Sequence, residues 1–146
     1  MADGLTLAEL TLAVLLVAAL IPVVWLIGRR RWLARSGWVF DCSLRSAIMT
    51  PSTWMLGVVR LNGELVEWYR VFSWSLRPKV TLRRGQAQPT ASRVLEPAER
   101  ALLVDQDRVV QLTDPEGRSV ELAMAPARMT AFLSWLEAAP PGSGYR

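Results

Sequence analysis

The chain has 146 residues, with 17 Lys and Arg against 13 Asp and Glu, a single cysteine and no histidine. A lone cysteine excludes an internal disulfide framework and a thiolate metal site. The missing histidine removes the commonest general base and metal ligand, so neither hydrolase nor metalloenzyme chemistry is expected.

From Leu10 to Ile27 no residue is charged, and the run ends abruptly at Arg29-Arg30-Arg31. About 20 apolar residues, each rising about 1.5 Å, span a hydrocarbon core of about 30 Å. A cleaved signal peptide would carry a basic start and a shorter apolar core. This start holds Asp3 and Glu9 instead, so residues 1–35 are read as an uncleaved transmembrane anchor with a basic flank. Trp25 and Trp32 lie near its basic end, where indoles favour the headgroup region. Basic flanks stay on the cytoplasmic side. Arg29, Arg30, Arg31 and Arg35 therefore predict a single-pass plasma-membrane protein with its N-terminus outside and its C-terminal domain cytoplasmic.

Charge is uneven along the rest. Residues 29–93 hold twelve Lys and Arg against Asp41, Glu64 and Glu67, whereas residues 94–146 hold five Arg against eight carboxylates. About 110 residues follow the anchor, enough for one compact domain. It is assigned to residues 36–139, with 140–146 as a disordered tail.

Past a connector at Ser36 and Gly37, Trp38 to Leu44 predicts a first strand, with Trp38, Phe40 and Cys42 on one face. Thr50-Pro51-Ser52 breaks the chain. Trp54 to Leu61, Asn62-Gly63, and Leu65 to Trp74 read as a β-hairpin, with Asn-Gly supplying the positive-φ pair of a type I′ turn. Val66, Trp68 and Phe72 alternate with Glu67 and Tyr69, which predicts one buried face. Arg70 falls in the apolar phase, which fits an edge position or a paired charge. Lys79 to Arg84 resembles a short basic strand, and Gln86 to Ser92 reads as a loop or an edge strand. Residues 95–101 suggest a turn or a single helical turn.

Arg108 to Leu112 and Arg118 to Leu122 form a second hairpin. Its connector, Asp114-Pro115-Glu116-Gly117, has proline at i+1 and glycine at i+3 of a type I turn. Met129, Phe132, Leu133 and Leu136 then recur at helical spacing between Pro126 and Ala139. A helix after a run of strands needs an open end of a sheet to cover. About seven antiparallel strands capped by a C-terminal helix predict an α+β, PH-like barrel. Its expected core includes Trp68, Phe72, Val110, Leu122, Phe132 and Leu136.

The chain also resembles the actinobacterial DUF2550 family of small single-span membrane proteins. The resemblance rests on Trp54-Met55-Leu56-Gly57-Val58-Val59-Arg60, Glu67-Trp68-Tyr69-Arg70-Val71, Ser75-Leu76-Arg77-Pro78, and Leu133-Ser134-Trp135-Leu136-Glu137 after Thr130-Ala131-Phe132. It implies an actinobacterial origin and a PH-like domain, and it supplies no activity.

No glycine-rich phosphate loop or histidine-based catalytic pair is present, and no cofactor is expected. Asp105, Asp107, Asp114 and Glu116 flank a predicted hairpin, where solvated acids are ordinary. The remaining candidate is a basic set, Arg60, Arg70, Arg77, Lys79, Arg83 and Arg84, near the juxtamembrane arginines. It is open to three readings: a solvated face, a site for anionic lipid headgroups, or a site for an acidic protein partner. Nucleic acid is not expected, since exposed stacking aromatics are not evident in the sequence. A tether already supplies membrane residence, so a non-enzymatic adaptor is favoured over a lipid-engaging domain.

Overall fold

The computed structural model describes residues 2–35, 37–46 and 53–138. Ser36, the expected break at Thr50-Pro51-Ser52 and the tail 140–146 lie outside the described residues. Met1–Arg35 and Ser36–Arg146 form two separate compact units. The first is the helix α1 (Ala2–Ala34), whose segment Thr6–Ala34 is long and apolar enough to cross a membrane.

The second unit begins with the expected first strand, which is broken in two. β1 (Trp38–Asp41) and β2 (Ser43–Ser46) flank Cys42 and enter different sheets. The first sheet runs β1, then β3 (Gly57–Asn62), β4 (Leu65–Arg70) and β5 (Val80–Arg83). The second runs β2, β8 (Ser119–Met124), β7 (Arg108–Thr113) and β6 (Gln88–Val94), and every pairing in both sheets is antiparallel. A four-residue helix α2 (Pro97–Arg100) lies between β6 and β7, and α3 (Pro126–Glu137) ends the unit. Two antiparallel sheets sharing one bent first strand, closed by a C-terminal helix, make a PH-like fold.

Both hairpins form, with one change of turn. β3 and β4 pair as far as Asn62 and Leu65, so the central residues are Gly63 and Glu64. Only Gly63 has a positive φ, at 58°, so this is not the Asn-Gly type I′ turn the sequence suggested. In the second hairpin the Gly117 amide donates to the Asp114 carbonyl at 3.0 Å, the bond expected of the type I turn. The segment read as a loop or an edge strand is an edge strand, β6, and it is almost wholly exposed. Its free edge is interrupted by Pro89 and a register shift between Pro89 and Ala91, features that blunt edge-to-edge pairing.

The core lies between the sheets. Phe40, Leu44, Val59, Leu61, Val66, Trp68, Val110, Leu112, Val120 and Leu122 fill it from the strands, and Met129, Phe132 and Leu136 fill it from α3. Phe132 is fully buried and meets the Phe40 ring edge-on at 6.1 Å, while Trp135 stacks on its other side at 6.5 Å. Phe72 does not join them: β4 ends at Arg70 and the Phe72 side chain is 73% exposed.

Trp68 occupies the point where the first strand changes sheets. Its indole N–H donates to the Cys42 carbonyl at 2.9 Å, and the Cys42 amide donates to the Gly57 carbonyl at 3.0 Å. A Cβ at position 57 would lie 2.2 Å from the Trp68 ring, so only glycine admits the indole here. Gly57→Ala is expected to cost about 1–3 kcal/mol through overpacking. Phe132→Ala is expected to cost about 3–5 kcal/mol by removing the plug from α3. Thermal unfolding of the full chain in mild detergent, followed by near-UV circular dichroism, measures both. A neutral Phe132→Ala result would mean that α3 does not close the barrel.

Candidate functional site

The ten basic residues singled out in the sequence divide by environment. Arg29, Arg30 and Arg31 lie in the closing turns of α1, and Arg35 directly follows it. Arg60, on β3, sits opposite Glu67 on β4. Its Nε and Nη2 donate to the Glu67 carboxylate at 2.7 and 2.6 Å, and the Tyr69 hydroxyl donates to the same oxygen at 3.2 Å. Arg60 and Glu67 are both buried, so Arg60 is not part of an exposed rim. Arg84 lies with its guanidinium 4.5 Å from the Trp135 ring centre, its side chain only 11% exposed. It packs against α3 instead of facing outward.

Arg70, Arg77, Lys79 and Arg83 are exposed. Strand alternation puts Lys79, Thr81 and Arg83 outward along β5, while Val80 and Leu82 turn toward the core. β5 pairs with β4, which brings Lys79 and Arg83 beside the first hairpin. Beside β5 is a cleft of about 240 Å³ lined by Ser46, Lys79 to Leu82, Asp114, Arg118 and Val120. The acidic wall of this cleft is internally committed. Asp114 accepts from the amides of Glu116 and Arg118 at 3.0 and 2.8 Å and from Arg118 Nε at 2.7 Å. Arg118 also contacts Glu116 at 2.9 Å, and Lys79 lines the same cleft.

Sequence reasoning missed two features. The first is the segment 71–79, because the strand read as far as Trp74 ends at Arg70. Its Phe72, Trp74 and Leu76 side chains are 73%, 67% and 41% exposed. The Ser75 amide donates to the Ser73 hydroxyl at 3.2 Å, and the Arg77 amide donates to the Ser75 hydroxyl at 3.1 Å. These local bonds replace the ladder that the strand reading assumed. A serine at every second position among large apolar residues was the available signal.

The second is a charged network on the outer face of the second sheet. Arg93 Nη1 and Nη2 grip the Glu99 carboxylate at 2.7 and 2.9 Å, and Arg45 Nη1 reaches it at 3.1 Å. Trp54 Nε1 donates to Glu99 at 3.1 Å, and the Arg45 guanidinium lies 4.8 Å from the Trp54 ring centre. Arg45 also pairs with Glu121, its cross-strand neighbour on β8. Glu99 completes a capping box with Glu96 at the start of α2. These partners come from four distant segments, so no local pattern announces them.

No group of three or more His, Cys, Asp and Glu able to hold a metal ion occurs among the described residues. Cys42 is fully buried, and burial, with the neighbouring Asp41 charge, pushes its thiol well above the usual range. A thiol held protonated in this way is a poor nucleophile.

The Arg93 guanidinium draws the Glu99 carboxyl down from 4.5 to about 2. A depressed carboxyl stabilises the fold above its unfolded value and loses that contribution as pH falls through its folded value. The Glu99 contribution is therefore present at neutral pH and is lost between about 4.5 and 2. Glu99→Gln is expected to lower neutral-pH stability by about 1–3 kcal/mol, as for a hydrogen bond to a charged group. It should also flatten the loss of stability over that acid window, which unfolding midpoints across pH would reveal. An unchanged acid profile would show that Glu99 is not the titrating clamp.

Uncharacterized protein ML1147 of Mycobacterium leprae is 32% identical to this chain over 130 residues, covering 87% of the chain and 88% of the relative. Uncharacterized protein Rv1312 of Mycobacterium tuberculosis matches with the same identity and coverage. Among solved structures, the PH domain of human oxysterol binding protein-related protein 11 is similar at a TM-score of 0.43 and 16% identity, over 76% of this chain and 94% of that one. The apo activated truncation of Vav1 is similar at 0.49 and 13% identity, over 72% of this chain and 27% of that longer one. Residues 15–142 match the family described as Protein of unknown function (DUF2550). The chain belongs to the DUF2550 family.

Proposed function

We propose that this chain is a membrane-tethered, non-enzymatic interaction module. In this reading α1 spans the plasma membrane with its acidic start outside. The PH-like domain then stands at the cytoplasmic face and holds a protein partner there. The observation that carries the partner reading is the loop after α2. Leu102 and Val104 are 68% and 78% exposed, yet the helix that leads into them is clamped by Arg93 and Arg45 through Glu99. Asp105, next in line, adopts a positive φ of 62°, a conformation that non-glycine residues seldom take. Two apolar side chains on a fixed support, followed by Asp105 and flanked by the Arg100–Asp107 pair at 3.6 Å, suit a protein surface.

A second reading, engagement of anionic lipid, is favoured by the exposed Arg70, Arg77, Lys79 and Arg83 around β5. Both readings share the tether, and the tether is tested first. A reporter fused after Arg146 should be active in the cytoplasm, and neutral replacement of Arg29, Arg30, Arg31 and Arg35 should loosen or invert that orientation. Strong signal from an exported-side reporter on the wild-type chain would overturn the topology. For the partner, a protein retained by the full chain in mild detergent should be lost on Leu102→Asp with Val104→Asp. Retention undiminished by that pair would remove the α2 loop from the interface.

A further inference from the structure

The segment between β4 and β5 combines three properties that its role as a connector does not require. Its ends are pinned: the Val71 amide donates to the Leu56 carbonyl at 3.1 Å, and the Lys79 amide donates to the Trp68 carbonyl at 2.8 Å. Between those pins, Phe72, Trp74 and Leu76 stand exposed, joined by Leu56, itself 46% exposed, beside the first pin. The serines between them satisfy alternate amides of the loop from within, at Ser75 and Arg77. A backbone segment that supplies its own hydrogen bonds loses less on leaving bulk water for a less polar medium.

Along the loop's own sequence the charge has one sign, and Asp114 in the cleft beside Lys79 is held by Arg118. Arg70 and Lys79 stand at its two ends, Arg77 lies within it, and Arg83 follows on the outward face of β5. No carboxylate occurs anywhere from Trp68 to Leu95. Aromatic and aliphatic side chains ringed by cations match the boundary between anionic headgroups and acyl chains, where indoles and basic groups both gain. The tether makes that medium unavoidable. Only residues 35–37 separate α1 from β1, so in the tether reading a short connector keeps the domain near the bilayer. At such proximity a contact too weak to recruit a soluble protein is populated.

We propose that the 71–79 loop docks on the anionic surface of the bilayer in which α1 is anchored. Phe72, Trp74 and Leu76 enter the headgroup–acyl boundary, and Arg70, Arg77 and Lys79 pair with the surrounding headgroups. The contact selects which face of the domain meets lipid and leaves the α2 loop available to a protein. It rests on the tether reading above.

The test uses the full chain reconstituted into vesicles. Ser75→Cys carries an environment-sensitive fluorophore, and Ser92→Cys on the exposed β6 strand serves as the reference. Cys42 is buried, and the unsubstituted chain must take no label. In vesicles of phosphatidylcholine with phosphatidylglycerol, the label at 75 should be blue-shifted and quenched by lipid-borne nitroxide, whereas the label at 92 should not. The difference should shrink in phosphatidylcholine alone, and at about 1 M salt, where the Debye length falls to about 3 Å. It should vanish when Phe72, Trp74 and Leu76 are all replaced by serine, with the chain still resisting alkaline carbonate extraction. A label at 75 as wet as the one at 92, on a chain that resists carbonate, overturns the loop contact and leaves the tether intact. Release by carbonate overturns the tether and the loop contact with it. Shielding of position 75 in native membranes, but not in lipid vesicles, would assign the loop to a protein partner and overturn the lipid assignment.

Discussion

The peptide at Cys42 is the constraint on which the PH-like domain depends. A strand that leaves one sheet and enters another must pass through a residue that belongs to neither ladder, and its buried polar groups still need partners. Here the amide finds the Gly57 carbonyl and the carbonyl finds the Trp68 indole. The indole reaches that carbonyl only because position 57 has no side chain. Three residues from β3, β4 and the gap between β1 and β2 thus fix where the first sheet ends and the second begins. The core then packs around the buried face of the same indole.

Features whose causes are local were legible in the sequence. Asp-Pro-Glu-Gly closed its hairpin as expected, and the Met129, Phe132 and Leu136 stripe buried the face it predicted. Asn62-Gly63 located a hairpin correctly but not its central pair, because the ladder runs one residue further and puts Gly63 first in the turn. Alternation failed at Phe72 for a different reason. The period-two pattern continues in the sequence after the ladder has stopped, and apolar spacing carries no information about where pairing ends. The break at Cys42 was hidden for a related reason: a bent strand and a straight one share the same alternation.

Charge shows the same limit at the level of the candidate site. The strongly basic stretch from 29 to 93 is continuous in sequence, but the fold divides it. Arg45 and Arg93 close on Glu99 and Glu121, Arg60 is buried against Glu67, and Arg84 is laid over Trp135. Each of these pairings joins residues on different strands or helices, so linear charge density overstated the exposed basic surface. What faces outward from the described domain is the smaller set around β5 and the loop before it. The sequence located that set without revealing the apolar residues that stand among it.

The division also sorts two of the exposed apolar surfaces among the described residues of the domain. Leu102 and Val104 lie between Arg100 and Asp107, which pair with each other, on a support stiffened by an ion-pair network. Phe72, Trp74 and Leu76 sit among cations on a loop pinned only at its ends. An anionic bilayer attracts the second setting over a range set by screening, and the paired charges of the first offer it no such attraction. A protein partner gains from the first because a rigid support has little conformational freedom left to lose on binding. A lipid surface, being deformable, makes no such demand on the second. In the proposed reading a single tethered domain therefore meets two different media without competition between them. The discriminating property is the charge beside each apolar group, paired at the first and basic at the second, since both surfaces expose side chains of comparable hydrophobicity.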